Sequence, residues 1–569
     1  MKKRLLALVI AATMLFSLAA CGGKANSGET NTPANSNTPV EEVKTPSDIE
    51  KLTDGQMVDG KFKETKKISV EVYDRDGATP ANDNVWTDWI KKQMLDKYNV
   101  EVTYVAVPRW TEVDQINNLL AAQSAPDICY TYSYATVQTY ADMAGVTDLN
   151  PYLTKYKSLL PDLWNWLKDE NIYCDQDPTT GTVWAIEGRR NNTYRINTFV
   201  RQDWLDKLGL KAPTTTQEFE DMLVAFKNNA ETLLGDAKDQ MIPLMVTSDV
   251  GWTAANLIES FMDPAITDKE LYVNGFDDRK YTQNGTKEAV KLLNKWYNNG
   301  LMWKDFALYP SGDSTADDLC KAGYVGAFMH NYDYPFRNAE NSFNAVLAAT
   351  YGENAKFVAI NCFTDKNGKY TKYSYSAAGD RKAFFPATNK EPLASLLYLN
   401  FISSPEAVEY LQKGVEGINH KVLESGAIAI SAVDEANKAY TQNSGQNIDL
   451  TMTCNGLRLS TEELTQKSLA YTYAMVDPAD VANAMVQAGV DAVAPKNVQV
   501  GTIQAESEGT DLTGKRDAGF CNSVVCSPAE FDATWEQHMK EYMKAGGQAI
   551  ADERKAAWEK TYGTADMLK

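Results

Sequence analysis

Residues 66–108 read KKISVEVYDRDGATPANDNVWTDWIKKQMLDKYNVEVTYVAVP and contain a strand, a helix and a second strand in that order. In the first strand Ile68, Val70 and Val72 recur at the period of two that is typical of strands. Residues 84–99 change to a helical period, and one face collects Trp86, Trp89, Ile90, Met94 and Leu95. A helix over residues 111–123 and a strand over residues 125–133 follow. This order predicts the α/β class, with a mainly parallel sheet and helices on both faces.

Ligands of such sheets bind beyond the carboxyl ends of the strands. Residues that follow the first three strands are therefore candidates for ligand contact, and they are Tyr73, Asp74, Arg75, Trp110, Tyr130, Tyr132 and Tyr134.

Length and composition bound the rest of the interpretation. A chain of 569 residues with 44% hydrophobic residues is long enough for two or more domains or lobes, each with its own core. The net charge of −20 repels phosphate backbones, so we expect no nucleic-acid partner.

The N-terminus has the pattern of a secretory signal. Lys2, Lys3 and Arg4 precede an apolar run that ends in LAAC at Cys21, which resembles the bacterial lipobox. We expect a signal peptide over residues 1–20, a lipid on Cys21 and a flexible tether over residues 21–60, rich at first in Gly, Ser, Thr, Asn and Pro. The alternative is an ordinary secreted protein with a chance cysteine.

Four later stretches are specific as a set: RQDWLDKLGLKAPTTTQEFEDMLVAFK (201–227), LLNKWYNNGLMWKDF (292–306), KAGYVGAFMHNYDYP (321–335) and SSPEAVEYLQKGVEGINH (403–420). In this order they resemble the extracellular solute-binding lipoproteins of ABC importers, in the carbohydrate-binding branch with long members found mainly in Firmicutes. The resemblance covers roughly residues 66–565.

The resemblance implies a two-lobed clamshell of the periplasmic-binding-protein type (type II), each lobe a mainly parallel sheet flanked by helices. Lobe 1 is expected over residues 61–197 plus about 375–430, and lobe 2 over residues 198–374 plus about 431–569. The chain is expected to cross between lobes near residues 197–201, 370–380 and 420–435.

The function implied is that of a membrane-anchored binding protein, without enzymatic activity or cofactor, on the extracellular face of the cell membrane. It is expected to be a monomer that captures an oligosaccharide between its lobes and delivers it to the transmembrane subunits of an ABC permease. A peptide or another small solute is the alternative cargo. A surface glycoside hydrolase, which needs a pair of carboxylates, and an adhesive lipoprotein are the rival classes.

Sugars are bound by aromatic platforms together with carboxylate, amide and guanidinium groups. On these grounds the further candidates are Trp184, Glu187, Arg189, Trp252 and Arg381. The loop HNYDYP resembles the family loop that places an aromatic ring in the cleft, which adds Asn331, Tyr332 and Tyr334.

Two further patterns have open alternatives. DQDPTTG at residues 175–181 is similar to a calcium loop, but its glycine is displaced and Ile186 stands where a bidentate glutamate is needed. We therefore favour a hairpin turn closed by Gly181 and expect no metal. Cys521 and Cys526 could close a small disulfide loop, or both could be free thiols.

Overall fold

The structure is a computed structural model that describes residues 46–75, 77, 79–310, 313–501, 503–507 and 512–568. The predicted signal peptide, Cys21 and the tether as far as residue 45 lie outside the described residues. Residues 46–60 do not continue the expected tether: they contain helix Pro46–Leu52 and most of a small hairpin. This segment is folded because Met57 is buried and Leu52 packs against the same core.

The strands of the described residues are short except where the sequence alternates over a long stretch. They are Met57–Val58, Lys61–Phe62, Lys66–Asp74, Val100–Pro108, Cys129–Thr131, Ile186–Glu187, Arg189–Arg190, Ile196–Arg201, Ile242–Met245, Val325–Asn331, Phe357–Ile360, Lys372–Tyr373, Lys382–Phe384, His420–Val422, Ile428–Ile430, Cys454–Asn455 and Ala492–Val493.

The α-helices cover these sheets. They are Pro46–Leu52, Val85–Tyr98, Glu112–Ala121, Tyr134–Asp142, Asn150–Tyr156, Pro161–Ile172, Gln202–Leu208, Thr216–Asn228, Ala230–Leu234, Val250–Thr253, Ala255–Ser260, Asp268–Val273, Thr286–Asn298, Ser314–Lys321, Phe343–Tyr351, Pro392–Ile402, Pro405–Lys413, Glu462–Ser468, Pro478–Gly489, Gln504–Ser507, Leu512–Val525, Phe531–Tyr542 and Gln548–Tyr562. None of the helices described is long and apolar enough to cross a membrane.

The first sheet begins as the sequence predicts. Lys66–Asp74 and Val100–Pro108 pair in parallel along their whole length, and Val70 forms a parallel bridge to Ile128. The returning strand Lys382–Phe384 pairs antiparallel with Cys129–Thr131 and Ile186–Glu187. The first core, which we define by its buried apolar residues, draws on residues 57–186 and 383–454.

The second sheet has fewer parallel strand pairs than the sequence predicts. Its order is Phe357–Ile360, Ile196–Arg201, Val325–Asn331 and Ile242–Met245, and only the last two strands pair in parallel. Ile196–Arg201 enters the sheet from the first core, and it runs against both of its neighbours. The second core draws on residues 196–363 and 481–542.

Three chain segments link the two cores, at residues 187–195, 364–382 and 455–480. Their backbones are joined by hydrogen bonds: Arg190 N donates to Ala377 O at 3.0 Å, and Asn191 N donates to Asn455 O at 2.7 Å. Residues 196–201 form a strand of the second core, and residues 420–430 form a local hairpin.

Local signals in the sequence are reproduced. Gly209 ends helix Gln202–Leu208 in the left-handed conformation with φ of 64°. The Thr215 side chain accepts a hydrogen bond from Glu218 N and caps helix Thr216–Asn228. The seven described cysteines are free thiols, Cys521 and Cys526 included.

Candidate functional site

The loops at the carboxyl ends of the parallel strands gather arginine, carboxylate and aromatic side chains. In the first sheet Arg75 follows strand Lys66–Asp74, and Arg109 follows strand Val100–Pro108. In the second sheet Arg337 comes a few residues after strand Val325–Asn331. Parallel sheets bind ligands at these ends, so the loops form the candidate site.

Arg75 is held by a residue far away in sequence. Its Nε lies 2.6 Å from Asp449 Oδ2, and its Nη2 lies 3.0 Å from Asp449 Oδ1. Arg381 lies behind this pair, with its Nη1 3.6 Å from Asp449 Oδ1, and donates to the backbone oxygens of Ile448 and Cys454. A buried carboxylate thus fixes a guanidinium that is partly exposed.

Arg109 lies among three aromatic rings. Its guanidinium carbon is 5.0 Å from the ring centroid of Tyr73, 4.5 Å from that of Tyr132 and 5.2 Å from that of Trp110. Glu112 accepts a hydrogen bond from Arg109 at 2.9 Å and another from the Thr131 hydroxyl at 2.9 Å. Trp110 itself is 77% exposed and leaves most of its ring open to a ligand.

The linking segments carry a similar arrangement. Arg190 Nη2 donates to Asp380 Oδ1 at 2.9 Å, and its guanidinium lies 4.1 Å from the Tyr375 ring centroid. Asn455 also donates to Asp380. Burial alone would raise the pKa of Asp380, but Arg190 and Arg381 together hold it below its usual value.

In the second core, two arginines lie against the Trp252 ring. The guanidinium carbon of Arg195 is 4.9 Å from the ring centroid, and that of Arg279 is 4.7 Å from it. Arg195 is paired with the buried Glu259, and Arg279 is bidentate to Asp249 at 2.9 and 2.7 Å. The Trp252 ring is therefore partly covered by protein cations.

The HNYDYP loop ties its own aromatic residues down. Asp333 accepts a bidentate pair from Arg337 at 3.0 and 2.7 Å, and a hydrogen bond from the Tyr473 hydroxyl at 2.6 Å. Despite burial, Arg337 and Tyr473 hold the pKa of Asp333 below its usual value. The Tyr332 hydroxyl meets that of Tyr473 at 3.3 Å.

His330 closes this loop on its inner side. It stacks on Tyr334 with centroids 3.6 Å apart, and the Tyr334 hydroxyl donates to Asp317. Burial, with the positive charge of Arg337, lowers the pKa of His330 to about 3, so the imidazole is neutral in ordinary buffers. Asn331 is partly exposed at the strand end.

The predicted site residues divide by burial. Tyr73, Tyr130, Glu187 and Arg381 are no more than 1% exposed and bond to protein atoms, and Tyr332 is 8% exposed. The others are partly exposed or, for Trp110, exposed: Asp74, Arg75, Trp110, Tyr132, Tyr134, Trp184, Arg189, Trp252, Asn331 and Tyr334. Ligand contact stays a prediction for all of them. The residues of the second group are the more accessible to a ligand because they are less buried.

Tyr134 and Trp184 line a separate cavity of about 150 Å³, together with Tyr272, Glu506 and Arg554. The Tyr134 hydroxyl donates to the backbone oxygen of Asp175 at 2.9 Å. The sequence grouped Tyr134 with Tyr130 and Tyr132, and Trp184 with Glu187 and Arg189, whereas the structure brings Tyr134 and Trp184 together at one cavity.

Residues 175–181, which the sequence predicts to form a turn closed by Gly181, do form such a turn. Asp177 N donates to Thr182 O, Gly181 N donates to Asp177 O, and Gly181 has a φ of 73°. The Asp177 carboxylate accepts the backbone N–H groups of Thr179 and Thr180, so it serves the turn.

A cluster of possible metal ligands lies beside this turn. One atom each from Cys174, Asp175 and Glu187 lies within 4.8 Å of the others. Glu187, however, already accepts from Lys382 at 2.8 Å and from Gly379 N. Burial and the nearby Glu187 raise the pKa of Asp175 well above its usual value. Glu187, one of the three possible ligands, is thus already engaged by protein donors, and we assign no metal here.

Sequence reasoning missed most of the paired arginines and their carboxylates. Arg109 adjoins the predicted Trp110, and Arg337 closely follows the predicted aromatic loop, so their positions were a usable signal. Asp449 and Tyr473 follow no recognisable strand, and only the three-dimensional contacts reveal them.

A family model described as bacterial extracellular solute-binding protein matches residues 88–429, which is more than half of the chain. The polygalacturonan/rhamnogalacturonan-binding protein YtcQ of Bacillus subtilis (strain 168) is 23% identical over 400 residues, 66% of this chain and 73% of that protein. Lipoprotein LipO of the same organism is 23% identical over 355 residues, 61% of this chain and 66% of LipO.

Among solved structures, the alginate-binding protein AlgQ2 without calcium ion superposes with a TM-score of 0.63 at 16% identity, over 87% of this chain and 98% of that chain. The α/β, two-lobed solute-binding fold is thereby confirmed. The chain belongs to the family of bacterial extracellular solute-binding proteins, and it is a binding protein rather than an enzyme.

Proposed function

We propose that the protein is the membrane-anchored substrate-binding component of an ABC importer, which captures an oligosaccharide between two lobes and delivers it to the permease. The observation that carries the proposal is the set of arginine and aromatic side chains at the strand ends of both sheets. Such groups supply the directional donors and ring platforms that sugars need. The names of YtcQ and AlgQ2, which bind polysaccharides, support a carbohydrate cargo.

The lobes are proposed as residues 61–197 with about 375–430, and residues 198–374 with about 431–569. Leu450, Met452 and Cys454 pack in the first core, which supports extending the first lobe to about residue 454. The linking segments then act as a hinge. Ligand that touches both lobes only when they are closed shifts the equilibrium toward the closed form, which the permease recognises.

The partly exposed candidates are proposed to touch the ligand, while Tyr73, Tyr130, Glu187, Tyr332 and Arg381 position them. The protein acts as a monomer, on the extracellular face of the membrane, through a lipid on Cys21. The name of Lipoprotein LipO supports the anchor. Membrane fractionation tests it: the wild type should sediment with membranes, and Cys21→Ala should release the chain.

Calorimetric titration of the chain from residue 21 onward, carrying Cys21→Ala, tests the cargo. We expect saturable heat from oligosaccharides, no product on chromatography, and no heat from control peptides. Binding of peptides alone would assign a different cargo and contradict the proposal. The absence of heat with every sugar would contradict it as well.

A further inference from the structure

We propose that Arg189 and Arg458 bind an oxyanion beside Trp166. Arg189 belongs to the first link between the cores, residues 187–195, and Arg458 belongs to the third, residues 455–480. The oxyanion is a carboxylate of the oligosaccharide or a free inorganic anion, two sources with the same chemistry that the test separates. The site goes beyond the proposed function, and it rests on that function only where the anion belongs to the sugar.

The two arginines differ from the other arginines that the structure describes. Each of the others forms an ion pair with a carboxylate, at an N–O distance of 3.6 Å or less. Within the described ranges, Arg189 and Arg458 form none. The chain has 76 acidic residues against 56 lysines and arginines, so a shortage of carboxylates does not explain the difference.

Both guanidinium groups lie against one aromatic ring. The guanidinium carbon of Arg458 is 3.9 Å from the Trp166 ring centroid, and that of Arg189 is 5.1 Å from it. Trp166 is buried and its Nε1 donates to Thr453 O at 2.7 Å, which fixes the ring. An aromatic ring attracts cations through its quadrupole but carries no net charge. Two positive charges therefore lie beside one ring without a negative charge to balance them.

The protein fixes the positions of both arginines and leaves N–H donors over for a ligand. Arg189 N donates to Thr453 O at 3.0 Å, and the Arg189 side chain makes no hydrogen bond to any described residue. Arg458 N donates to Gln412 Oε1 at 2.6 Å, and its Nη1 donates to Ser403 O at 2.8 Å. Because a guanidinium carries five N–H donors, both side chains, which are partly exposed, can still donate to an anion.

The neighbouring groups compensate the two charges only weakly. Burial lowers the pKa of Arg458, the Cys454 thiol and the Asp162 carboxylate raise it, and the positive charge of Arg189 lowers it again. Asp162 forms no ion pair with Arg458, and burial raises its own pKa. Like charges partly withdrawn from water cost free energy unless an anion offsets them. An oxyanion can accept charge-assisted hydrogen bonds from both guanidinium groups and supply that offset.

The site lies on one side of the first link, and the Arg190 ion pair lies on the other. Successive side chains of a strand point to opposite faces. Arg190 accordingly contacts Asp380 and Tyr375, whereas Arg189 lies against Trp166. An anion bound to Arg189 and Arg458 therefore leaves the Arg190 pair intact and adds a contact between the first and third links.

Thermal unfolding and calorimetric titration of the chain carrying Cys21→Ala test the site, with phosphate and sulfate at about 10 mM as probes and sodium chloride of equal ionic strength as reference. We expect saturable binding and a higher melting temperature than in chloride, because a ligand of the folded state stabilises it. Both anions also stabilise proteins by exclusion from the surface, so the variants decide whether the effect belongs to the site.

Arg189→Gln and Arg458→Gln should each weaken binding of the probes at least ~10-fold, because each removes a charged donor. Arg554→Gln is the matched control and should change the affinity less than ~2-fold, because this arginine also lies on an aromatic ring, that of Tyr272, but is paired with Glu506. Arg189→Gln breaks no side-chain hydrogen bond to a described residue, so it tests the site even if Arg458→Gln does not fold.

An oligogalacturonide and its methyl ester separate the two sources of the anion. Binding of the free acid that needs both arginines and is lost in the ester assigns the oxyanion to the sugar. Binding of phosphate that neither compound displaces assigns it to a free anion. Either result supports the site.

The inference is overturned if phosphate, sulfate and oligogalacturonide all fail to bind, or if they bind equally to the wild type and to folded Arg189→Gln. Neutral oligosaccharides distinguish this failure from that of the proposed function. Their binding in the absence of any anion binding contradicts the inference alone, whereas binding of phosphate without binding of any sugar contradicts the proposed function alone.

Discussion

Arg75 and Asp449 are separated by 374 positions in sequence and form a two-bond ion pair, with N–O distances of 2.6 and 3.0 Å. The pair joins the loop after the first strand of the sheet to the segment that precedes the third link between the cores. Site geometry and chain topology thus depend on the same contact.

Asp449→Asn should therefore weaken both binding and folding. We expect ligand affinity to fall at least ~10-fold and the free energy of unfolding to fall by about 1–3 kcal/mol, because a charged donor loses its bidentate acceptor. Titration and urea denaturation measure the two effects. The exposed pair of Lys67 and Glu101 gives the control, and Lys67→Ala should change stability by less than ~0.5 kcal/mol.

Trp110→Ala should reduce ligand affinity about 10-fold without lowering the melting temperature, because the ring is exposed and open for stacking. Leu308→Ala removes a side chain that is 74% exposed elsewhere and serves as control. Equal affinity in wild type and Trp110→Ala would exclude Trp110 as a platform.

Glu71 makes stability depend on pH. Burial raises its pKa in the folded protein well above the ordinary 4.5, although Tyr130 N donates to it. The folded state therefore binds the proton more tightly, and stability falls as pH rises from about 4.5 toward the folded pKa. Glu71→Gln should flatten this fall in melting curves taken across the range, whereas Glu101→Gln, at an exposed position of the neighbouring strand, should not.

His330 makes stability depend on pH in the direction opposite to Glu71. Its folded pKa of about 3 lies below the ordinary 6.5, so the unfolded state binds the proton more tightly. Stability is fully present above pH 6.5 and is lost as pH falls toward 3. His330→Asn should lessen the acid loss between these values, measured by denaturation at several pH values. A slope equal to that of wild type would show that other groups cause it.

Gly188 tests the links between the cores. A Cβ at this position would lie 2.7 Å from Met452 O, closer than side chains approach backbone, so Gly188→Ala must push the first link away from the backbone of the first core at residue 452. We expect a stability loss of about 1–3 kcal/mol and weaker ligand binding. Gly489→Ala meets its nearest atom at 3.6 Å and should be close to neutral.

The sequence predicted what depends on neighbouring residues. Helix Val85–Tyr98 is bounded by the Asn84 cap and by Asn99 in the left-handed conformation, and both are local signals. Leu95 was placed on the apolar face but is 45% exposed, because the buried stripe runs through Trp86, Ile90 and Met94.

Long-range pairing could not be predicted in this way. The arginine–carboxylate pairs of the candidate site combine contacts between neighbours, such as Arg109 with Glu112, and contacts across the fold, such as Arg190 with Asp380. Only the contacts between neighbours in sequence can be recognised from the spacing of residues.

The discontinuous cores set an order for folding during synthesis. The first core needs both Ile68 and Cys454, which lie far apart in the chain, whereas the second sheet lies wholly within residues 196–360. A ribosome that has released residue 360 has therefore delivered every strand of the second sheet, while the first core still lacks helix Pro392–Ile402 and everything after it. Neither core is complete at that point, because the second core still awaits residues 481–542.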